Sequence, residues 1–373
     1  MTLGLLPALG GGLGELASTG QAGRLLDGYL ARYVKVFDRV LYFSYRVESL
    51  EQFTRDPALL AHAQVVAPAR PLSRGRRAAT LAWTESARLR ACAVLRVFQV
   101  TGTVPALAAR ARFGVPYVTT YGFSYAQLSR RGPKRLLKAA VERLGLRHAA
   151  AVIATTEALR ARASRVARHV ELVPNGVDTE RFAPPPGGRR AGKPARVLYV
   201  GRFSAEKNLE TVVAAAAAVA RRRPLRLVLV GAGPLEARLR EQARAAGLET
   251  EFKGVVPQER LPEVYREADA FVLASFTEGH PKVLIEAMAA GVPCVASDCE
   301  GNRSLVSDGV NGLLFDPHRA TDLADRLACV VDDEPLAEAL GRAGRELAVA
   351  RYDLGVLVGA EIALLRRVAA ATV

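Results

Sequence analysis

In the second half of the chain, short apolar runs alternate with segments in which apolar residues recur at helical spacing. This pattern predicts strands over 196–201, 225–231, 251–254, 270–274, 293–297 and 312–315, and helices over 208–221, 234–246, 261–268 and 283–290. Apolar strands that alternate with helices are typical of a parallel sheet covered by helices on both faces. Ligands of such sheets bind at the carboxyl ends of the strands, so we expect a binding site there.

The first half shows the same alternation less regularly. Short apolar runs predict strands over 2–6, 39–45, 64–67, 94–100, 116–120 and 151–154, with helical segments between them. Residues 184–194 are rich in proline and glycine, which neither continue a helix nor join a central strand. The sequence therefore predicts an α/β protein with two Rossmann-like domains, over 1–183 and 195–351, joined by a linker over 184–194.

Two carboxylates flank the predicted junction between the strand over 270–274 and the helix that follows it. Glu278 is expected at the carboxyl edge of the strand, and Glu286 about one turn inside the helix. Between them, the first amides of the helix lack partners within the helix and can bind anionic groups. This arrangement suits a sugar nucleotide, with Glu278 binding sugar hydroxyls, the amides binding diphosphate and Glu286 binding ribose hydroxyls.

The segment from Glu278 to Glu286 resembles the E-x7-E motif of glycosyltransferase family 4, which comprises retaining enzymes of the GT-B fold. Three further segments resemble motifs of this family: G-R-x-x-x-x-K-N at 201–208, P-N-G-V-D at 174–178 and D-G-x-N-G-L-L at 308–314. The resemblance implies two Rossmann-like domains with a cleft between them, the first binding the acceptor and the second the nucleotide sugar. It also implies that a C-terminal helix over about 352–373 packs back on the first domain.

Transfer of a sugar from a nucleotide leaves negative charge on the departing diphosphate. The chain has no D-x-D motif that would hold a divalent metal, so we expect a metal-independent reaction in which cationic side chains stabilise this charge. Arg202 and Lys207 follow a predicted strand, and the resemblance gives them this role; a solvated surface pair is the alternative. The resemblance also implies that Glu278 and Glu286 contact the donor; for Glu286, a carboxylate on the helix surface is the alternative. The other residues implied to contact the donor are Gly279, His280, Pro281, Lys282, Val283 and Leu284. Val256 is expected near the base.

Two positions depart from the family pattern. His280 stands where the family usually has Phe. This difference either changes which sugar fits the site, or His280 is only a loop side chain. Tyr121 stands where many relatives have His, and it could bind the sugar or acceptor or be purely structural. In the glycine-rich segment 10–14, we expect Gly12 to approach the donor and Gly11 the acceptor, because glycines allow close approach of the backbone.

The net charge of +15 allows an anionic partner. Nucleic acid is not expected, because no aromatic-interleaved basic motif or helix-turn-helix signature is present. Residues 133–148 form a basic amphipathic pattern. An ordinary surface helix that packs its apolar stripe on its own domain is the plainer interpretation, and an interfacial helix that contacts anionic lipid is the alternative. The residues of this pattern are the basic Lys134, Arg135, Lys138 and Arg143 and the apolar Leu137, Val141 and Leu144.

The uncharged runs are shorter than the roughly 20 apolar residues of a membrane span, and no secretory pattern opens the chain. We therefore expect a cytoplasmic protein, with peripheral attachment to the inner face of the cell membrane as the alternative to a freely diffusing one. The predicted function is transfer of a sugar from a UDP- or GDP-linked donor to a glycan or lipid-linked acceptor. The alternatives are a non-catalytic nucleotide-sugar-binding subunit and a sugar-nucleotide epimerase of the same fold. A NAD-linked dehydrogenase is disfavoured, because no G-x-G-x-x-G opens either domain.

Overall fold

The computed structural model describes residues 1–123, 133–186 and 194–371. Two compact units are present. Unit 1 comprises Met1–Pro174 and Gly355–Val373, and unit 2 comprises Asn175–Leu354. The chain thus passes from unit 1 to unit 2 after Pro174, earlier than the boundary at 183 that the sequence suggested. Most of the linker proposed over 184–194 lies outside the described residues.

Unit 1 contains a seven-stranded sheet in which every pair of neighbours is parallel, in the order β3-β2-β1-β4-β5-β6-β7. Its central strands are almost completely buried, as expected for a parallel sheet with helices on both faces. The strands are β1 (Thr2–Leu6), β2 (Arg39–Phe43), β3 (Ala63–Val66), β4 (Val94–Val97), β5 (Tyr117–Tyr121), β6 (Ala151–Ala154) and β7 (Val170–Leu172).

The helices of unit 1 connect these strands, and a final helix returns to the unit after unit 2. A π-helix over Arg24–Leu30 runs into α2, in the region where the sequence predicted a helix, and 3-10 turns occur at Leu50–Gln52 and Val100–Gly102. The helices are α1 (Leu13–Ser18), α2 (Ala31–Tyr33), α3 (Pro57–His62), α4 (Arg74–Thr84), α5 (Ser86–Arg90), α6 (Thr103–Phe113), α7 (Pro133–Arg147), α8 (Glu157–Ala163) and, at the C-terminal end, α16 (Leu354–Ala370).

A buried ion pair fastens α16 within unit 1. Arg96 on β4 donates from Nε to Glu361 Oε1 (2.6 Å) and from a terminal nitrogen to Glu361 Oε2 (2.9 Å). Tyr33 also donates its hydroxyl hydrogen to Glu361, and the same terminal nitrogen of Arg96 also donates to Thr120 Oγ1 at 2.8 Å. Both members of the pair are almost completely buried. The Arg96 guanidinium and the Glu361 carboxylate thus balance each other's charge, and both are hydrogen-bonded. A buried ion pair requires both conditions.

Unit 2 contains a six-stranded parallel sheet in the order β10-β9-β8-β11-β12-β13. The strands are β8 (Ala195–Val200), β9 (Leu225–Val230), β10 (Thr250–Gly254), β11 (Ala270–Leu273), β12 (Cys294–Ser297) and β13 (Leu313–Phe315). The helices are α9 (Leu209–Ala220), α10 (Glu236–Ala245), α11 (Leu261–Arg266), α12 (Lys282–Ala289), α13 (Glu300–Arg303), α14 (Ala320–Asp332) and α15 (Glu334–Arg351). Every strand and helix predicted for this half is present, with ends that differ by one or two residues.

The strand order of unit 2 identifies the place where a ligand is expected. The chain winds outward in one direction from β8 to β10 and then in the other direction from β11 to β13. Neighbouring strands β8 and β11 therefore send their following loops to opposite faces, which leaves a crevice at the carboxyl edge of the sheet. No helix among the described residues is both long and apolar enough to cross a membrane.

Candidate functional site

The loops that follow β8 and β11 meet at this crevice. Lys207 ends a 3-10 turn after β8, and its Nζ lies 2.6 Å from Oε1 of Glu278, which follows β11. Ser275 Oγ donates a hydrogen bond to the same oxygen at 2.7 Å. Both charged side chains keep some exposure, 22% for Lys207 and 11% for Glu278. The structure thus brings together two predicted site residues that lie far apart in sequence.

Arg202 lies earlier in the same loop after β8, with an exposed side chain. Glycines shape the backbone around it. Gly201 has φ of 157°, and a Cβ at Gly231 would lie only 1.9 Å from the Gly201 carbonyl oxygen. Glu206 is a nearby carboxylate; burial opposes its ionisation, but hydrogen bonds from Ser204 and its own backbone leave its pKa below the usual range. The loop after β8 therefore carries two cations, Arg202 and Lys207. Lys207 is paired with Glu278.

The segment between Glu278 and α12 supplies backbone amides. Pro281 is the N-cap of α12, and Lys282, Val283 and Leu284 form its first turn. The opening amides of a helix carry partial positive charge and bind anions. A neighbouring glycine fixes the loop, because a Cβ at Gly301 would lie 2.4 Å from the Glu278 carbonyl oxygen.

Glu286 lies on α12 with no exposed surface. Gln258 donates from Nε2 to its Oε1 at 2.9 Å, and the Tyr265 hydroxyl donates to its Oε2 at 3.0 Å. A buried carboxylate needs such partners to offset its loss of hydration. Glu286 is therefore not a helix-surface carboxylate. Gln258 and Tyr265 were not identified from the sequence, since they come from separate elements and belong to no motif.

His280 is buried, and its Nδ1 has no hydrogen-bond partner among the described residues. Its ring packs edge-on against Tyr352, with 5.3 Å between the ring centroids, and its carbonyl oxygen accepts a hydrogen bond from Asn175 Nδ2 at 2.7 Å. Burial, with a smaller effect of Lys282, lowers the pKa of His280 to about 3. His280 is consequently neutral near pH 7. Val256, beyond the end of β10, is half-buried and packs on the core of unit 2.

The remaining predicted site residues, Gly11, Gly12 and Tyr121, belong to unit 1. The glycine-rich loop binds a carboxylate of the chain itself, because Glu48 accepts hydrogen bonds from the amides of Leu13 and Gly14, both at 2.8 Å. A Cβ at Gly12 would lie 2.8 Å from Glu48 Oε1. These loop amides are therefore occupied.

Gly11 and Tyr121 also take part in internal contacts. The Gly11 amide donates to the Ala8 carbonyl at 2.9 Å, and its carbonyl oxygen accepts from the Tyr45 amide at 3.2 Å. Tyr121 is buried at the end of β5 and donates its hydroxyl hydrogen to Glu142 Oε1 on α7 at 2.9 Å. Tyr121 thus has a structural role, because its hydroxyl links β5 to α7.

The apolar stripe of α7 is not packed as the plainer interpretation expected. Within the stripe, Leu137 and Leu144 are exposed by 67% and 48%, and Val141 is half-buried. Leu136, which is not part of the predicted stripe, is exposed by 74%. The prediction that this stripe is buried against its own domain is therefore wrong for Leu137 and Leu144. Helix contacts are made instead by the face that carries Gly145 and Leu146, which is opposite. The side chains of residues 133 and 134 lie outside the described part of the chain.

Comparison with known proteins agrees with this architecture. The family model described as Glycosyltransferase Family 4 matches residues 32–181, and the model described as Glycosyl transferases group 1 matches residues 185–347. The chain belongs to glycosyltransferase family 4. A sucrose-phosphate synthase from Thermosynechococcus elongatus has a similar structure, with a TM-score of 0.81, 23% identity and full coverage of both chains. Anabaena HepE in complex with UDP and glucose gives a TM-score of 0.77 at 19% identity, covering 98% of this chain and 99% of that one. The fold of this family 4 chain is therefore GT-B.

Curated relatives match mainly over part of their length. A GDP-mannose-dependent alpha-(1-6)-phosphatidylinositol monomannoside mannosyltransferase from Mycobacterium tuberculosis is 34% identical over 203 residues, covering 50% of this chain and 53% of that protein. A D-inositol 3-phosphate glycosyltransferase from Nocardia farcinica is 35% identical over 192 residues, covering 46% and 42%. The family 4 chain thus spans about half the length of the curated relatives it matches.

Proposed function

We propose that this chain is a retaining glycosyltransferase that moves a sugar from a UDP- or GDP-linked donor to a glycan or lipid-linked acceptor without a metal cofactor. The observation that carries the proposal is the convergence of Lys207 and Glu278 at the crevice between β8 and β11, beside the start of α12. Both donor bases have support, since one curated relative is named as GDP-mannose-dependent and one structural neighbour holds UDP.

The residues of unit 2 have distinct roles in this proposal. Arg202 and Lys207 stabilise the diphosphate as it takes up negative charge, Glu278 binds hydroxyls of the sugar, and Glu286 binds the ribose. The bond between the anomeric carbon and the diphosphate oxygen breaks while the acceptor oxygen forms a bond to that carbon from the same face. The acceptor hydroxyl proton passes to the departing diphosphate. Loss of one preorganised charge-stabilising group typically lowers the rate about 10²- to 10³-fold.

The donor assignment is tested by thermal unfolding with UDP, GDP, ADP and their sugar conjugates, each with and without magnesium. We expect one base to raise the unfolding temperature without metal, and Glu286→Ala and the isosteric Glu286→Gln to lose this shift. Glu241→Gln removes an exposed carboxylate from α10 and is the matched control. A full shift in both Glu286 variants would contradict the assignment, and no shift from any nucleotide would remove the donor proposal altogether.

Product analysis separates the alternatives. A transferase forms a new glycoside and releases nucleoside diphosphate, an epimerase changes the sugar while it stays on the nucleotide, and a binding subunit does neither. Lys207→Met should lower the rate of glycoside formation by about two to three orders of magnitude. An unchanged rate in this variant would exclude Lys207 from the charge stabilisation proposed here.

We also propose that unit 1 contacts an anionic membrane surface through α7. The exposed leucines of this helix share a face with Ala140, and the exposed Arg143 and Arg147 lie next to these residues on the helix surface. Exposed apolar residues bordered by arginines are typical of a helix that lies at a lipid interface. Such a contact would bring a lipid-linked acceptor to the protein at the cytoplasmic face of the membrane.

A further inference from the structure

A cavity of about 280 Å³ lies at the carboxyl edge of the sheet in unit 1. It is formed where the loops after β1, β2 and β3 come together. Its wall includes two leucines and Gly10, the first glycine of the glycine-rich loop. Its polar side chains are those of Glu15, Tyr45, Arg46 and Arg74. A volume near the lower end of the range for small-molecule sites fits a compound of the size of a phosphorylated sugar.

The glycine-rich loop accommodates the two arginines closely. A Cβ at Gly12 would lie 2.7 Å from Cγ of Arg46, and a Cβ at Gly10 would lie 3.4 Å from Cβ of Arg74. Gly10 also has φ of 90°, a conformation that favours glycine. The loop amides themselves hold the Glu48 carboxylate. The arginine side chains, and not the loop amides, are therefore the elements available to an anionic ligand here.

Neither guanidinium has a hydrogen bond or an ion pair with any other residue in the described part of the chain. Arg77 on the same helix as Arg74 behaves differently. It is buried and donates hydrogen bonds to Glu85 and to the carbonyl oxygens of Ser44 and Val66. The fold thus uses Arg77 for its own stability and leaves Arg46 and Arg74 available. Guanidinium groups match phosphate well, because they offer two parallel donors.

The other polar groups of the wall suit hydroxyls. Glu15 is exposed, and its carboxylate has no partner among the described residues. The Tyr45 hydroxyl is buried, likewise without a partner in the described structure. Carboxylate oxygens accept hydrogen bonds from sugar or polyol hydroxyls, and a phenol can both donate and accept. One cavity therefore combines two cations with groups that bind hydroxyls.

We propose that this cavity binds a phosphorylated polyol, with Arg46 and Arg74 on the phosphate and Glu15 on the hydroxyls, and that this compound is the acceptor. The second part of the statement rests on the proposed function. The phosphate belongs either to a free phosphorylated polyol or to the headgroup of a lipid, and these two sources share the chemistry that the cavity recognises.

Isothermal titration calorimetry of the full chain tests this with three probes: glycerol 3-phosphate, monomeric short-chain phosphatidylglycerol and uncharged glycerol. We expect at least one of the phosphorylated probes to bind and glycerol not to bind. The double variant Arg46→Gln/Arg74→Gln should weaken that binding roughly tenfold or more, because hydrogen bonds to charged groups are individually strong. The control Arg221→Gln/Arg222→Gln removes the same charge from exposed arginines of unit 2 and should bind as the unmodified chain does.

Each outcome is decisive. Binding of glycerol 3-phosphate alone identifies a free phosphorylated compound, and binding of the phosphatidylglycerol alone identifies a lipid headgroup. Binding of neither probe, or an equal loss in the control variant, overturns the proposal. Thermal unfolding of the unmodified chain with UDP and GDP, compared with its titration by the phosphorylated probes, keeps the two proposals apart. An intact nucleotide shift with no phosphate binding refutes the cavity assignment only, whereas phosphate binding without a nucleotide shift refutes the donor proposal.

Discussion

At the scale of single residues, the position of Glu278 depends on a glycine from another element. Gly301 is the second residue of α13 and lies close to the loop after β11. A Cβ at this position would lie 2.4 Å from the Glu278 carbonyl oxygen and 2.7 Å from that of Gly279. Backbone atoms cannot yield as the end of a flexible side chain can. The loop that joins Glu278 to α12 is therefore held in place by the absence of a side chain at Gly301.

We predict that Gly301→Ala displaces this loop and weakens donor binding roughly tenfold or more, since misplacement of about 1 Å at a site has effects of this size or larger. Titration calorimetry with the nucleotide sugar that stabilises the unmodified chain measures the effect. Gly344→Ala on α15 is the control, because its Cβ would meet neighbours only at 3.4 Å, an ordinary contact distance. Unchanged affinity in Gly301→Ala would show that the loop tolerates the shift.

His280 should make the stability of the protein depend on pH. Its pKa is lowered by burial to about 3, against about 6.5 when unfolded, so between these values the unfolded chain binds a proton that the folded chain does not. Stability is then complete above pH 6.5 and decreases as the pH falls toward 3. At pH 5 the loss amounts to about 2 kcal/mol.

The variant His280→Phe removes this titration and a buried nitrogen that has no partner in the described structure. We predict that its free energy of unfolding, measured in urea, falls less between pH 7 and pH 5 than that of the unmodified chain, by about 2 kcal/mol. Carboxylates contribute equally to the pH dependence of the free energy of unfolding in both proteins, so their contribution cancels in the comparison. His318→Gln, which changes an exposed histidine of unit 2, should follow the unmodified chain. An equal pH dependence in His280→Phe would show that His280 is not the group responsible.

Site residues within motifs could be predicted from the sequence. Residues that hydrogen-bond these site residues from distant parts of the chain could not. The apolar runs place Lys207 after β8 and Glu278 after β11, and parallel strands bring such positions to one edge. Gln258 and Tyr265 hydrogen-bond Glu286 from elements with no fixed spacing to it. The contact of Glu48 with the glycine-rich segment could not be predicted either, because only the folded loop shows that this carboxylate accepts hydrogen bonds from the loop amides.

At the scale of elements, α7 has an amphipathic pattern that fits two environments equally well. A stripe of leucines looks the same in sequence whether it packs on its own domain or lies at a lipid interface. The structure distinguishes the two, because it leaves Leu136 and Leu137 largely exposed while Gly145 and Leu146 are buried. The periodicity predicted the helix, and only the packing around it determined its outward face.

We predict that the protein co-sediments with vesicles that contain anionic phosphatidylglycerol and much less with purely zwitterionic vesicles. Leu136→Ser/Leu137→Ser should reduce binding, whereas Val356→Ser, which removes an exposed apolar side chain of α16, should not. Arg143→Gln/Arg147→Gln should weaken binding by about 2 kcal/mol, at about 1 kcal/mol for each arginine near an anionic surface. Arg221→Gln/Arg222→Gln is the charge-matched control. Failure to bind even at low salt, where electrostatic attraction is strongest, would exclude the contact.

The C-terminal helix α16 shows the same division between what periodicity predicts and what the fold adds. Apolar residues at helical spacing over 354–368 predict the helix. They do not predict that Glu361, a charged residue within that spacing, is buried against Arg96 and Tyr33 from distant parts of the chain. A sequence pattern assigns charges to the surface by default, so a buried ion pair becomes visible only when both partners are placed.

At the scale of the whole molecule, the described residues form hydrophobic cores that belong to different units. One is built around β8–β13 and another around β4–β6. Chains with more than one such unit often unfold in more than one step. The Arg96–Glu361 pair lies within unit 1, whereas Arg202, Lys207, Glu278 and Glu286, which we propose to bind the nucleotide sugar, lie within unit 2. Changes at these two places should therefore affect different steps of unfolding.

We predict two transitions in differential scanning calorimetry. Glu361→Gln leaves the buried Arg96 without its countercharge, which costs about 3–5 kcal/mol, and should lower the transition of unit 1 only. The double variant Arg96→Met/Glu361→Leu removes both charges and should recover most of that loss, because an apolar pair of similar volume can replace a buried ion pair. The nucleotide that binds, at 100 times its Kd, should stabilise unit 2 by about 2.7 kcal/mol and raise the other transition. A single transition that moves with both changes would show that the two units unfold together, since independent cores would respond separately.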